Sequence, residues 1–170
     1  MKKKLLTAIF VFSLWGNMQA QDAPHGYPYS PVPFTSVKVT DSFWGQRLKA
    51  SREVTIPLAF SKCEESGRYE NFVKAAHPSE NYKVEGLPFD DTDVYKTIEG
   101  ASYLLQTYPD KKLKSYIDSV LAIVAAAQEP DGYLYTSRTM NPKHPHAWSG
   151  SRRWEKVEDL SHEFYNLGHM

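Results

Sequence analysis

The stretch DTDVYKTIEGASYLLQTYPDKKLKSYIDSVLAIVAAAQ, residues 91–128, decides the architecture. Its apolar residues recur at helical spacing. Val94, Ile98, Ala101 and Leu105 form one stripe, and Leu113, Ile117, Val120, Leu121 and Val124 form a second. Tyr108-Pro109-Asp110 separates the two, because proline disfavours helical geometry in the residue before it. A connection of about three residues forces the helices antiparallel with their apolar stripes facing. The stretch is therefore a helical hairpin, and it points to an all-α organisation.

On the C-terminal side, Glu129-Pro130-Asp131-Gly132 has proline at the second position of a turn and glycine at the fourth. A long loop rich in Pro, His, Trp and Arg then runs from Tyr133 to Lys156. A last helix is expected from Asp159 or Ser161, with no stop signal before Met170, as if a helix had been cut. Its apolar stripe, Leu160, Phe164 and Leu167, is expected to face a core, and His162 and His169 fall on a neighbouring stripe seven residues apart.

On the N-terminal side, residues 64–90 carry Gly67, Pro78, Gly86 and Pro88 without sustained periodicity and read as a long irregular excursion. Before it, Asp41 or Ser42 caps a helix expected from Phe43 to about Cys63, kinked or split at Pro57. Phe34 to Thr40 alternates with β-branched residues and predicts a short strand. Residues 21–36 hold Pro24, Pro28, Pro31 and Pro33 and form a proline-rich leader. The first twenty residues have the layout of a secretory signal. Lys2 to Lys4 are followed by an apolar run, Leu5 to Trp15, and by Met18-Gln19-Ala20 as a cleavage site. The expected organisation is thus signal peptide 1–20, leader 21–36 and one domain over 37–170, in an exported protein, periplasmic or secreted, with no membrane span.

The 170 residues carry 20 basic and 20 acidic side chains, and loss of the three signal lysines leaves 17 against 20. A mildly acidic domain is a poor nucleic-acid surface. Cys63 is the single cysteine, so the chain has no internal disulfide; it reads as a buried apolar thiol or as a partner for something beyond Met170.

The chemistry concentrates in the two loops and the last helix. Tyr133, Tyr135, Trp148 and Trp154 offer flat faces with polar edges suited to a sugar, or a packing lid over helix ends. His162, at the helix entrance, is placed to meet a ligand hydroxyl or carboxyl, while His169 reads as a core histidine or a second contact. Seven residues at 1.5 Å rise separate them by about 10.5 Å along the axis, too far for one metal ion. Asp90, Asp91 and Asp93 read first as helix-capping acids, with Asp93 also a candidate to orient a substrate. His144 and His146 lack a third ligand at metal spacing.

Three segments together carry a resemblance to a known family: Phe89-Asp-Asp-Thr-Asp-Val-Tyr-Lys-Thr-Ile-Glu99, Ala127-Gln-Glu-Pro-Asp-Gly-Tyr-Leu134 and Ser161-His-Glu-Phe-Tyr-Asn-Leu-Gly-His169. In order and spacing they resemble the N-terminal part of glycoside hydrolase family 127, over approximately Val37 to Met170. The resemblance implies part of an (α/α)6 toroid and, in the full-length protein, a retaining hydrolase of non-reducing-end β-L-arabinofuranosides. It implies a zinc-bound cysteine nucleophile and a glutamate acid/base, all outside this chain, so that the piece alone is expected to be inactive. It maps the sugar-contacting histidine of the Ser-His-Glu motif to His162. The expected partners are a carbohydrate substrate and the remainder of the same chain. The expected substrate contacts are His162, Asp93, Tyr133 and His169. Two other readings stay open on the residues alone: another (α/α)-toroid enzyme such as an unsaturated glucuronyl hydrolase or sugar epimerase, and a non-catalytic glycan-binding helical module.

Overall fold

The computed structural model describes residues 29–170. The expected signal segment and the first part of the leader, to residue 28, lie outside the described residues. The chain divides into two units, ending at Ser36 and starting at Val37. In the described part of the first, Phe34–Ser36 forms a 3-10 turn closed by the Ser36 N–H on the Pro33 carbonyl at 2.8 Å. This replaces the strand expected over Phe34 to Thr40. No strand occurs among the described residues, and Val37 and Val39 are exposed. Alternating β-branched residues make a strand only where a neighbour satisfies their backbone groups, and here none does.

The regular structure of the second unit is all helical among the described residues, as the sequence predicts. Asp41 caps α1 (Ser42–Ala50) by accepting the Trp44 N–H at 2.7 Å. The helix then widens into a π-helical segment, Ser51–Thr55, and continues as α2 (Ile56–Glu65). Pro57 was expected to kink or split the helix. The run is divided there: Pro57 falls in the first turn of α2, where its missing N–H costs nothing, and the wider turns just before it make room for a ring that crowds the carbonyl four residues back.

A helix stands where an irregular excursion was expected: α3 spans Arg68–Ala76. Gly67, at φ +76°, turns the chain out of α2, and Phe72 and Ala75 bury one face. The hairpin is present as read, with α4 over Asp91–Thr107 and α5 over Lys111–Ala127. Asp110 caps α5 through the N–H groups of Lys112 and Leu113. The most extensive packing of α5 is nevertheless against α3, which lies beside the hairpin. Cys63, Phe72, Val94, Tyr95, Val120 and Leu134 meet in one buried cluster, and Phe60, Ala101 and Ile117 in a second.

The loop after α5 is part of the interior. Residues 133–141 are buried without a break and include a single turn, α6 (Thr136–Thr139). The Arg138 guanidinium donates to the carbonyls of Ser149, Gly150 and Arg152 and so folds the rest of the loop over α6. The last helix, α7, starts at Glu163 and not at Asp159 or Ser161, because His162 takes the left-handed conformation, φ 52° and ψ 26°. Its expected core stripe is also reversed. Leu160, Phe164 and Leu167 are exposed, and the buried side carries Glu163 and Asn166.

Candidate functional site

The beginning of α4 is held from both sides by its acidic residues. The Asp91 carboxylate, fully buried, accepts the Thr136 N–H at 2.8 Å and the Thr136 hydroxyl at 2.5 Å, tying α4 to α6. Burial pushes its pKa up to about 6 against the pull of those two donors. Asp90 does not cap α4; it accepts the Leu87 N–H at 2.9 Å and closes the turn before the helix. That turn requires Gly86, which has φ +77° and whose missing Cβ would collide with the Asp90 carboxylate. Asp93 is half exposed and bound to Arg68 through Nε at 2.8 Å and Nη2 at 2.7 Å. The expected capping role for these acids therefore gives way to a clasp, a turn and an ion pair.

Between this end of α4 and the start of α7 lies a cleft of about 370 Å³, lined by Phe89, Asp90, Thr92, Asp93, Lys96, His162 and Tyr165. It brings together two of the residues singled out from the sequence, His162 and Asp93. The His162 ring stands edge-on to Phe89 at 4.5 Å, and the Lys96 ammonium lies 4.4 Å from the centre of the Tyr165 ring. One polar wall thus offers a carboxylate, an ammonium, a hydroxyl and an imidazole, and aromatic rings flank it. That is the lining a polyhydroxylated ring needs: donors and acceptors at its rim and apolar surface for its C–H bonds.

The other two residues lie elsewhere. His169 is half buried and lines a separate cleft with Tyr95, Ile98, Glu99, Leu121 and Val124. The rings of His162 and His169 flank Tyr165 at 6.3 and 4.6 Å, so they share a side although His162 precedes the helix. Tyr133 lines neither cleft. It is buried, its hydroxyl donates to Glu163 Oε1 at 2.6 Å, and the Arg153 guanidinium covers its ring at 3.9 Å. Tyr135 is a packing residue too; its hydroxyl donates to the Ser161 carbonyl at 2.5 Å, and burial pushes its pKa up to about 12. Trp154 stacks on Phe164 at 5.0 Å.

Sequence reasoning missed Glu163. Its side chain accepts from Tyr133 and, at 3.0 Å, from the Trp154 N–H, and it lies behind His162. Trp154 and His162 are also the non-glycine residues with positive φ among the described residues. The only hint was a glutamate in the Ser-His-Glu segment at a position that amphipathic reading placed outside the core.

The described residues do not fit a zinc site. No three His, Cys, Asp or Glu side chains converge among them. Cys63 is buried with its Sγ 4.0 Å from the Thr97 hydroxyl, and burial raises its thiol pKa, which opposes the thiolate a metal requires.

A family model for the beta-L-arabinofuranosidase GH127 catalytic domain matches residues 36–170. The non-reducing end beta-L-arabinofuranosidase of Bifidobacterium longum subsp. longum is 29% identical over 152 residues, which cover 79% of this chain and 22% of that protein. A solved GH127 beta-arabinofuranosidase is 84% identical, with a TM-score of 0.82 over 86% of this chain and 23% of its own. The GH127 beta-L-arabinofuranosidase of Geobacillus stearothermophilus T6 is 33% identical, with a TM-score of 0.68 over 78% of this chain and 21% of its own. The chain spans between a fifth and a quarter of the length of these relatives. Its helices form part of their α/α toroid, and the chain belongs to glycoside hydrolase family 127.

Proposed function

We propose that this chain supplies one wall of the active site of an exported, retaining β-L-arabinofuranosidase that removes non-reducing-end β-L-arabinofuranosides from plant glycans. The cleft between α4 and α7 carries the reading. In it, His162 presents an exposed imidazole beside Asp93 and Lys96, with Phe89 and Tyr165 as apolar flanks. A volume near 370 Å³ lies at the small end of ligand pockets, in keeping with a single terminal sugar. His162 would exchange a hydrogen bond with a furanose hydroxyl, Asp93 would accept one, and Lys96 would donate one. In the family the nucleophile is a zinc-bound cysteine and the acid/base a glutamate; the described residues furnish neither, and no step of the reaction is assigned to them. His169 and Tyr133 belong to this reading as neighbours of the wall: His169 across Tyr165, and Tyr133 behind the helix.

Export rests on the order of charges and apolar residues in the first twenty positions. Among the described residues no helix is long and apolar enough to cross a membrane.

The test is His162→Ala in the full-length enzyme, assayed on an aryl β-L-arabinofuranoside. Loss of a hydrogen bond worth about 1 to 2 kcal/mol in the transition state lowers kcat/KM roughly 5- to 30-fold, with the melting temperature unchanged. An unaltered kcat/KM would remove His162 from the sugar site.

A further inference from the structure

Glu163 follows His162 in sequence and points the opposite way, into the protein. It is 2% exposed. Oε1 takes the Tyr133 hydroxyl at 2.6 Å and Oε2 the Trp154 N–H at 3.0 Å. Arg138 Nε lies 3.7 Å from Oε1 and has no hydrogen-bond partner of its own. With both oxygens engaged inside the fold, this carboxylate is in no position to donate a proton to a ligand in the cleft. Burying a carboxylate is nevertheless costly, and filling space would be done better by an apolar side chain.

The geometry around it shows what the carboxylate holds. Trp154 and His162 both adopt the left-handed region, at φ 66° and 52°, which costs a non-glycine residue about 1 kcal/mol or more. Trp154 donates its N–H to Glu163, and His162 is the residue from which the Glu163 backbone continues into α7. If His162 relaxed to right-handed geometry, it would become the first residue of α7. A single added helical residue turns the chain by about 100°. The imidazole would then leave its edge-on contact with Phe89.

We propose that Glu163 is a positioning residue for the sugar-binding wall: anchored by Tyr133 and Trp154, it fixes α7 so that His162 stays left-handed and its imidazole stays in the cleft. The proposal deepens the reading of His162 as a sugar contact and rests on it. Tyr133 then acts on the substrate at second hand, through the Glu163 carboxylate.

The experiment is a double-mutant cycle in the full-length enzyme with Glu163→Ala, Glu163→Gln, Tyr133→Phe and His162→Ala. Glu163→Ala should lower kcat/KM by as much as His162→Ala does and no more, and Tyr133→Phe by a few fold. Glu163→Gln should recover most of the loss, since the amide oxygen still accepts from Trp154. In the His162→Ala background, Glu163→Ala and Tyr133→Phe should cost nothing further. Equal losses in both backgrounds, or losses matched by the fall in folded fraction, would overturn the proposal.

A second readout separates this outcome from failure of the functional reading. The His162 ring protons lie in the ring current of Phe89, so Tyr133→Phe, and Glu163→Ala if it folds, should move those resonances toward free histidine. Unmoved resonances would refute positioning even if His162→Ala abolishes activity. Moved resonances with an active His162→Ala enzyme would uphold positioning while removing His162 from the sugar site.

Discussion

Asp91 braces the head of α4 from inside the fold and does not line the cleft beside it. Its carboxylate is buried and accepts two hydrogen bonds from Thr136, yet burial still raises its pKa to about 6, above an unfolded value near 3.9. The folded chain therefore holds a proton more tightly than the unfolded chain between about pH 4 and pH 6. The stability this group contributes is fully present below the unfolded value and is lost as pH rises through 6, by an amount on the order of 3 kcal/mol. Asp91→Asn carries no titrating proton and keeps an oxygen for the Thr136 N–H, while its amide can donate to the Thr136 hydroxyl. The stability of the Asn variant relative to wild type should accordingly rise from pH 4 to pH 7 in paired thermal melts, and a flat difference would contradict the assignment. At this scale the sequence was legible in kind more than in role. Acidic residues at the head of α4 were visible, but whether each caps, clasps or pairs depends on Thr136 and Arg68, which approach from 45 and 25 residues away.

Among the elements, the ones with long unbroken periodicity were readable and the short ones were not. The α4–α5 hairpin has seventeen residues in each arm, and its proline stop is local. Helix α3 has nine residues between a left-handed glycine and a proline-containing loop, so its apolar spacing covers barely two turns. The strand expected near Val37 failed because its alternation has no partner, which is a property of the rest of the chain and not of the segment. Helix α7 was misread because a buried glutamate inverts its inner and outer faces. The unforeseen α3 is nonetheless central to the interior. Phe72 is fully buried and meets Tyr95 of α4 edge-on, with ring centres 5.8 Å apart. Phe72→Ala should therefore destabilise the fold by about 3 to 5 kcal/mol, the range for emptying a core phenylalanine, as read from the midpoint of urea unfolding. A loss under about 1 kcal/mol would mean that α3 is peripheral.

For the second unit as a whole, the distribution of apolar surface sets behaviour in solution. Leu160, Phe164, Leu167 and Met170 are all exposed, and Phe164 alone retains 60% of its accessible area. A run of large exposed apolar side chains on one short segment is the kind of patch that folded monomers avoid. The 170-residue chain, its first twenty residues included, has a formal net charge of zero at pH 7, which supplies no compensating repulsion between copies. These two properties together predict that the purified 170-residue chain self-associates, with a weight-average mass by light scattering that grows with concentration. The double variant Leu160→Lys, Leu167→Glu places one charge of each sign on the patch and leaves the formal net charge unchanged, so any effect comes from lost apolar surface. It should restore a monomeric mass without altering the helical circular dichroism spectrum, because neither side chain contributes to the buried clusters. A variant that associates as strongly as the parent would show that another surface, such as the exposed Phe43 and Trp44 on α1, drives the contact.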